Sequence, residues 1–141
     1  MCVMGRRNRK QVNPGRVIIP VGHPKPPEPH EEDAAKILAR HYQTTVEFLI
    51  PVDDYKRKSA DIVMLGVQWE IKTPKGDSKY TIQKQFRRAS KQAKNIIIDT
   101  RRTKLKYTNI ENQALFEWRK RPVISKIILI DKFEKVVELR K

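Results

Sequence analysis

Asp61-Ile62-Val63-Met64-Leu65-Gly66-Val67-Gln68-Trp69-Glu70-Ile71-Lys72 decides how this chain is read. Two short runs rich in β-formers, 61–65 and 67–72, flank Gly66 in the pattern of a tight hairpin. With Leu65-Gly66 as a two-residue turn, Met64 faces Val67 and Asp61 faces Glu70. Directly opposed residues on one sheet face have Cβ atoms roughly 4.5–5.5 Å apart. Two carboxylates at that spacing repel unless a cation sits between them. Lys72 follows Glu70 by two residues and lies on the same face of its strand. Two carboxylates and an ammonium at one end of a hairpin suit a hard divalent cation with oxygen ligands. The lysine would orient or stabilise an attacking hydroxide. The competing expectation is plainer. Glu-x-Lys on a strand is usually a solvated face, and Leu-Gly is a poorer turn than Asn-Gly.

At 141 residues the chain is long enough for one domain with a real core. Its net charge of +15 and pI near 10.2 point to a polyanionic partner: nucleic acid, an anionic membrane or an acidic protein. The longest apolar stretches, 62–67 and 127–130, are too short to span a bilayer, so no membrane insertion is expected. Arg6, Arg7, Arg9 and Lys10 are followed by no apolar run, which excludes a secretory signal there. Cys2 is the single cysteine, and His23, His30 and His41 lack ligand spacing. Carboxylates are therefore the metal ligands on offer.

Residues 1–29 read as a basic, Pro-rich arm or linker, and residues 30–141 as the folded domain. The arm holds six of the nine prolines, and its 24–29 tract favours extended backbone. Val17-Ile18-Ile19 is its candidate edge strand, with little order expected. A helix is predicted from Pro29-His30 to about His41, its acidic first turn meeting the positive end of the helix dipole. Glu31 falls on the apolar face with Ala35, Leu38 and Tyr42. A strand over 44–50, a charged loop over 51–59 and the 61–72 hairpin follow.

The predicted helix over about 80–94 is sharply two-sided. Ile82, Phe86, Ala89 and Ala93 form its apolar stripe, and Lys84, Arg87, Arg88, Lys91 and Lys94 the opposite face. Thr81, Gln85 and Gln92 lie between. From Lys79 to Lys106 there are ten Lys or Arg against one acid, Asp99, a candidate nucleic-acid surface with strong salt dependence. Within it, Thr81, Lys84, Gln85, Arg87, Arg88, Lys91 and Gln92 are the candidate contacts; solvent-exposed roles are the alternative for each. Tyr55, Tyr80, Tyr107 and Trp118 are candidates for stacking on unpaired bases, against ordinary packing. A buried parallel strand at 95–99, a weaker helix over 108–119 and strands over 124–131 and 135–139 complete an α-β-β-β-α-β order followed by α-β-β.

That order, with Asp61…Glu70-Ile71-Lys72 on its second and third strands, resembles the PD-(D/E)XK nuclease core. It implies an α/β fold with a central mixed sheet, plus a C-terminal helix and strand pair. The chain from about residue 31 onward more closely resembles the C-terminal tRNase domain of contact-dependent growth-inhibition toxins. The matching features are Glu31-Glu32-Asp33-Ala34-Ala35-Lys36-Ile37-Leu38-Ala39, Ala60-Asp61-Ile62 before the Gly hairpin, Trp69-Glu70, Thr73-Pro74, and Lys91-Gln92-Ala93 before the Ile-rich strand. Ala60 stands where such nucleases often have Pro, and residues 1–29 have no counterpart.

The resemblance implies a metal-dependent nuclease hydrolysing RNA, with tRNA favoured, as a toxin in the bacterial cytoplasm, delivered within a larger polypeptide. Asp61 and Glu70 would hold Mg²⁺, with Mn²⁺ or Zn²⁺ as alternatives. Glu31 would be an outer carboxylate, or simply a helix N-terminal acid, and Lys72 the catalytic cation. An acidic immunity protein is the implied partner. A DNA endonuclease of resolvase or restriction type and a non-catalytic nucleic-acid-binding protein remain open, because metal-hydroxide chemistry needs no 2′-OH.

Overall fold

The computed structural model describes residues 14–51, 60–91 and 93–141. Among these, the elements in chain order are β1 (Arg16–Ile18), α1 (Pro29–Tyr42), β2 (Thr45–Phe48), β3 (Ile62–Met64), β4 (Val67–Lys72), α2 (Thr81–Ala89), β5 (Asn95–Asp99), α3 (Tyr107–Arg119), β6 (Lys126–Ile130) and β7 (Val136–Glu138). The strands form one mixed sheet in the order β1-β2-β3-β4-β5-β6-β7. β3 runs antiparallel to both of its neighbours, β2 and β4; β4, β5 and β6 run parallel, and β7 returns antiparallel to β6.

Strand alternation sorts the core into two layers. Ile62, Met64, Trp69, Ile71, Ile97 and Ile128 pack with Ala34, Ala35 and Leu38 of α1. Ile96, Ile98, Ile127 and Leu129 pack with Ile82 and Phe86 of α2 and with Ile110, Ala114 and Trp118 of α3. β5 is covered on both faces, which is why Asn95-Ile96-Ile97-Ile98-Asp99 is a continuous apolar run and not an alternating one. Its parity also places the β4 side chains. Glu70 and Lys72 pair in register with Ile96 and Ile98. They therefore belong to the α2 face, while Trp69 and Ile71 serve the α1 face.

The β3–β4 hairpin has the expected turn. Met64 pairs with Val67, and Leu65 and Gly66 both take left-handed backbone, with φ of 54° and 73°. Two consecutive positive-φ residues are what a two-residue hairpin requires to match strand twist. Gly66 adopts this freely, whereas Leu65 is strained. The Trp69 Nε1–H donates to the Met64 carbonyl at 3.2 Å and braces the turn from inside.

Three elements differ from the sequence reading. Arg16–Ile18, within the predicted arm, is an ordered edge strand parallel to β2. Its neighbour Gly15 has φ of 84° and packs so closely on the Ala39 carbonyl of α1 that a Cβ there would clash. α2 ends at Ala89 and not near Lys94. A turn follows at Ser90 and Lys91, and at the start of β5 Asn95 Nδ2 donates to the Gln68 carbonyl. Trp118, considered for base stacking, is buried, and its indole N–H donates to the Ile124 carbonyl at 2.8 Å.

Leu65→Asn should relieve the turn strain, since Asn tolerates left-handed backbone and Leu65 is more than half exposed. The expected gain is about 0.5–1 kcal/mol, read as a higher urea midpoint at unchanged slope.

Candidate metal and nucleic-acid site

The hairpin keeps its register to Ile62 opposite Trp69, and there the recorded ladder stops. A ladder continued regularly would send the Ile71 N–H to the Ala60 carbonyl. Instead that N–H donates to Asp61 Oδ2 at 2.8 Å, and the Asp61 N–H donates to the Trp69 carbonyl at 3.0 Å. Asp61 thus closes the open end of the hairpin with its own carboxylate. This folds its side chain over β4 toward Glu70.

Glu70 is almost completely buried, at 2% exposure. Its Oε1 lies 3.3 Å from Lys72 Nζ. Its Oε2 is buried and meets no N–H or hydroxyl donor, and the Glu70 and Asp61 carboxyls hydrogen-bond each other when one of them holds a proton. Orphaned oxygens are rare in protein interiors and call for an explanation. Burial, then the Asp61 charge, push the Glu70 carboxyl from its ordinary 4.5 up to about 8, with Lys72 opposing. Burial also raises Asp61, while the Ile71 N–H restrains it. A nearby Glu31 charge adds to the rise. The pair behaves as two carboxylates that cannot both ionise cheaply.

Glu31 sits at the start of α1 as a helix N-terminal acid, with its charge reaching Asp61. Its Oε1 accepts the Glu28 N–H at 3.0 Å. The start of α1 is tied to the end of β5 by Arg101. Its guanidinium donates to both oxygens of the fully buried Asp99, at 2.9 and 2.7 Å, and to the His30 carbonyl at 3.1 Å. The sequence reading missed this clamp. Its only signal was the single acid in a basic stretch. Glu28, His30 and Glu31 also converge, but Arg102 Nη1 stands 3.2 Å from His30 Nδ1 and supplies a cation there.

The basic helix borders the site from the same sheet face. Gly76, Asp77, Ser78, Thr81, Lys84, Gln85 and Arg88 line an open cleft of about 280 Å³. Gly76 is anchored beneath it by the Thr103 hydroxyl, which donates to its carbonyl at 2.6 Å. Of the predicted contacts, Lys84, Arg87, Arg88 and Lys91 are exposed and Gln85 is half-buried. Thr81 is buried, its hydroxyl 3.4 Å from that of Ser78. Gln92 and Tyr55 lie outside the described residues. Tyr107 is half-buried, with its phenol pushed up to about 12 chiefly by burial and then by Glu111. Tyr80 remains exposed. No helix among the described residues is long and apolar enough to cross a membrane.

The raised Glu70 carboxyl has a consequence for stability. Between about pH 4.5 and 8 the folded chain retains a proton that the unfolded chain releases, so the metal-free domain weakens as pH rises through that window. Glu70→Gln should flatten this slope and stabilise the metal-free domain at pH 8 by on the order of 1–3 kcal/mol. Urea unfolding in EDTA at pH 5 and pH 8 measures it.

Among curated proteins none matches this chain significantly. Residues 58–136 match the family model "Contact-dependent growth inhibition CdiA C-terminal domain". In three dimensions the chain is similar to the CdiA-CT/CdiI toxin and immunity complex from Burkholderia pseudomallei. The TM-score is 0.63 at 21% sequence identity, covering 79% of this chain and 83% of that one. The matched segment contains both carboxylates, the lysine and the basic helix, and it extends over more than half of the sequence. The chain belongs to the CdiA C-terminal domain family of contact-dependent growth inhibition.

Proposed function

We propose that this domain is a metal-dependent nuclease toxin that hydrolyses RNA, with tRNA the favoured substrate, on a PD-(D/E)XK-type site. The observation that carries this is the buried Glu70 carboxylate, whose Oε2 meets no N–H or hydroxyl donor while Lys72 pairs with Oε1 and the Asp61 charge lies close by. A divalent cation suits that oxygen and removes the repulsion between the carboxylates. Oxygen-only ligation favours Mg²⁺ or Mn²⁺ over Zn²⁺. Asp61 and Glu70 would hold the ion, with Glu31 adding negative charge from the helix start. When bound, such an ion lowers the pKa of a water ligand and polarises a phosphoryl oxygen.

The residues divide the remaining work. The Ile71 N–H keeps Asp61 Oδ2 aimed across β4. Lys72 would offset the charge that gathers on the phosphoryl oxygens as the bond breaks. The cleft lined by Lys84, Gln85 and Arg88 would hold the phosphate backbone next to the hairpin. A DNA endonuclease reading shares every one of these groups. Incubation with bulk tRNA and with plasmid DNA, each with Mg²⁺ or EDTA, separates the two. Cleavage of tRNA alone, lost in EDTA, is expected. Cleavage of plasmid alone would replace RNA with DNA as the substrate.

Asp61→Ala, Glu70→Ala and Lys72→Ala should each lower cleavage at least about 100-fold while the circular-dichroism spectrum stays native. Wild-type turnover in all three would end the nuclease reading. Glu31→Ala should have a smaller effect. Metal binding near pH 7 should also release close to one proton, because the shared proton must leave before both carboxylates ligate. Calorimetry in buffers of different ionisation enthalpy counts it.

Arg87, Arg88 and Lys91 point away from the core, so replacing them with Gln should leave the melting temperature nearly unchanged. RNA affinity should fall across all sequences, and the salt slope should flatten by up to about three. The family membership and the toxin–immunity complex formed by the structural relative also support an inhibitory partner. The +15 charge favours an acidic one. Expression of the chain alone should arrest growth, and co-expression of its cognate acidic binder should restore it.

A further inference from the structure

The opposite flank of α2 carries a second cleft, distant in chemistry from the carboxylates. It lies between the start of α2 and α3 and encloses about 320 Å³, at the lower end of the range for small-ligand sites. Two aromatic rings sit at it, and both face solvent: Tyr80 at 52% exposure and Phe116 at 56%. Core packing therefore does not account for either ring. Each carries a lysine over it, Lys79 Nζ at 5.1 Å from the Tyr80 centroid and Lys120 Nζ at 4.3 Å from that of Phe116.

Amide side chains also line the cleft. Gln83 and Gln113 both contribute, and Gln113 Oε1 is buried with no hydrogen-bond donor. Glu117 also lines the cleft, but its carboxylate is neutralised by Arg121 Nη1 at 2.7 Å and Lys120 Nζ at 3.5 Å. Gln113, Phe116, Glu117 and Lys120 follow one another at helical spacing, so one face of α3 builds one wall. Tyr80 is eight residues beyond Lys72. At most roughly 28 Å of chain separates the cleft from the carboxylates.

We propose that this cleft binds an unpaired nucleobase of the RNA substrate, a proposal that rests on the reading of the domain as acting on nucleic acid. The base stacks on Tyr80 and Phe116. The amide side chains of Gln83 and Gln113 border it. Lys79 and Lys120 attract the phosphates on either side. Exposed rings flanked by cations are the means by which proteins hold single-stranded nucleic acid without paired bases. The two α2 flanks then divide recognition. Lys84, Gln85 and Arg88 contact backbone near the reacting phosphate, and the aromatic cleft holds a base displaced from it.

The test uses the full chain in EDTA, where no cleavage competes. A fluorescent unstructured RNA oligonucleotide and an abasic oligonucleotide of the same length are compared by anisotropy. Wild type should prefer the base-bearing strand about tenfold or more. Tyr80→Ala/Phe116→Ala should bring that ratio close to one at an unchanged salt slope, and Tyr80→Phe/Phe116→Tyr should preserve it. A wild-type ratio near one, or a ratio that survives the Ala pair, overturns the proposal and leaves the cleft to another occupant. Should the Ala pair fail to fold, photocrosslinking of wild type to 4-thiouridine RNA decides. Crosslinks at Tyr80 or Phe116 support the cleft, and crosslinks confined elsewhere overturn it. The base preference is read without turnover. An inactive domain that still prefers bases refutes only the nuclease, and an active domain without the preference refutes only the cleft.

Discussion

Two carboxylates meet where the β3–β4 hairpin opens, and the surroundings of this domain are arranged around that repulsion. Glu70 is buried because β4 is an interior strand, flanked by β3 and β5. Asp61 is brought to it because its carboxylate, and not a main-chain carbonyl, satisfies the Ile71 N–H. Neither group has enough donors to ionise freely. Lys72 compensates one oxygen and leaves Glu70 Oε2 unmet. A protein that only needed stability would place an apolar pair here. Retaining the acids makes physical sense when a cation completes them.

The scaffold holds this strained corner from two sides. On one side, Arg101 links the buried Asp99 at the end of β5 to the first turn of α1 and so holds Glu31 within electrostatic reach of Asp61. On the other, Thr103 fixes Gly76, and with it the loop that leads from Lys72 into α2. Gly76 also lies close enough to Thr81 that an added Cβ would press on its hydroxyl, so the loop is drawn tightly against the helix start. The carboxylates and the basic helix thus share one rigid frame. Their separation does not depend on flexible side chains.

The charge of the domain acquires direction from that frame. The apolar stripe of α2, Ile82 and Phe86 with Ala89, is committed to the sheet. Its cations Lys84, Arg87 and Arg88 are therefore displayed on the surface. The same burial that aims them outward explains why Trp118 is not available for stacking, while Tyr80, one residue before the helix begins, is.

Local signals were sufficient for the hairpin, because turn chemistry and two-residue alternation act over a dozen residues. Leu65-Gly66, the Met64–Val67 pairing and the common face of Glu70 and Lys72 all follow from them. So do the existence of three helices and the all-buried character of β5, each written in apolar spacing. Other features were decided only in three dimensions. The ordering of β1 depends on its pairing with β2, about thirty residues away in sequence. The Arg101 clamp joins residues 71 positions apart. The orphaned Glu70 oxygen exists only because β5 covers one edge of β4 while Asp61 closes the other. Sequence spacing determined which groups could share a face. Long-range packing determined which of them lost water, and loss of water is what raises the Asp61 and Glu70 carboxyls.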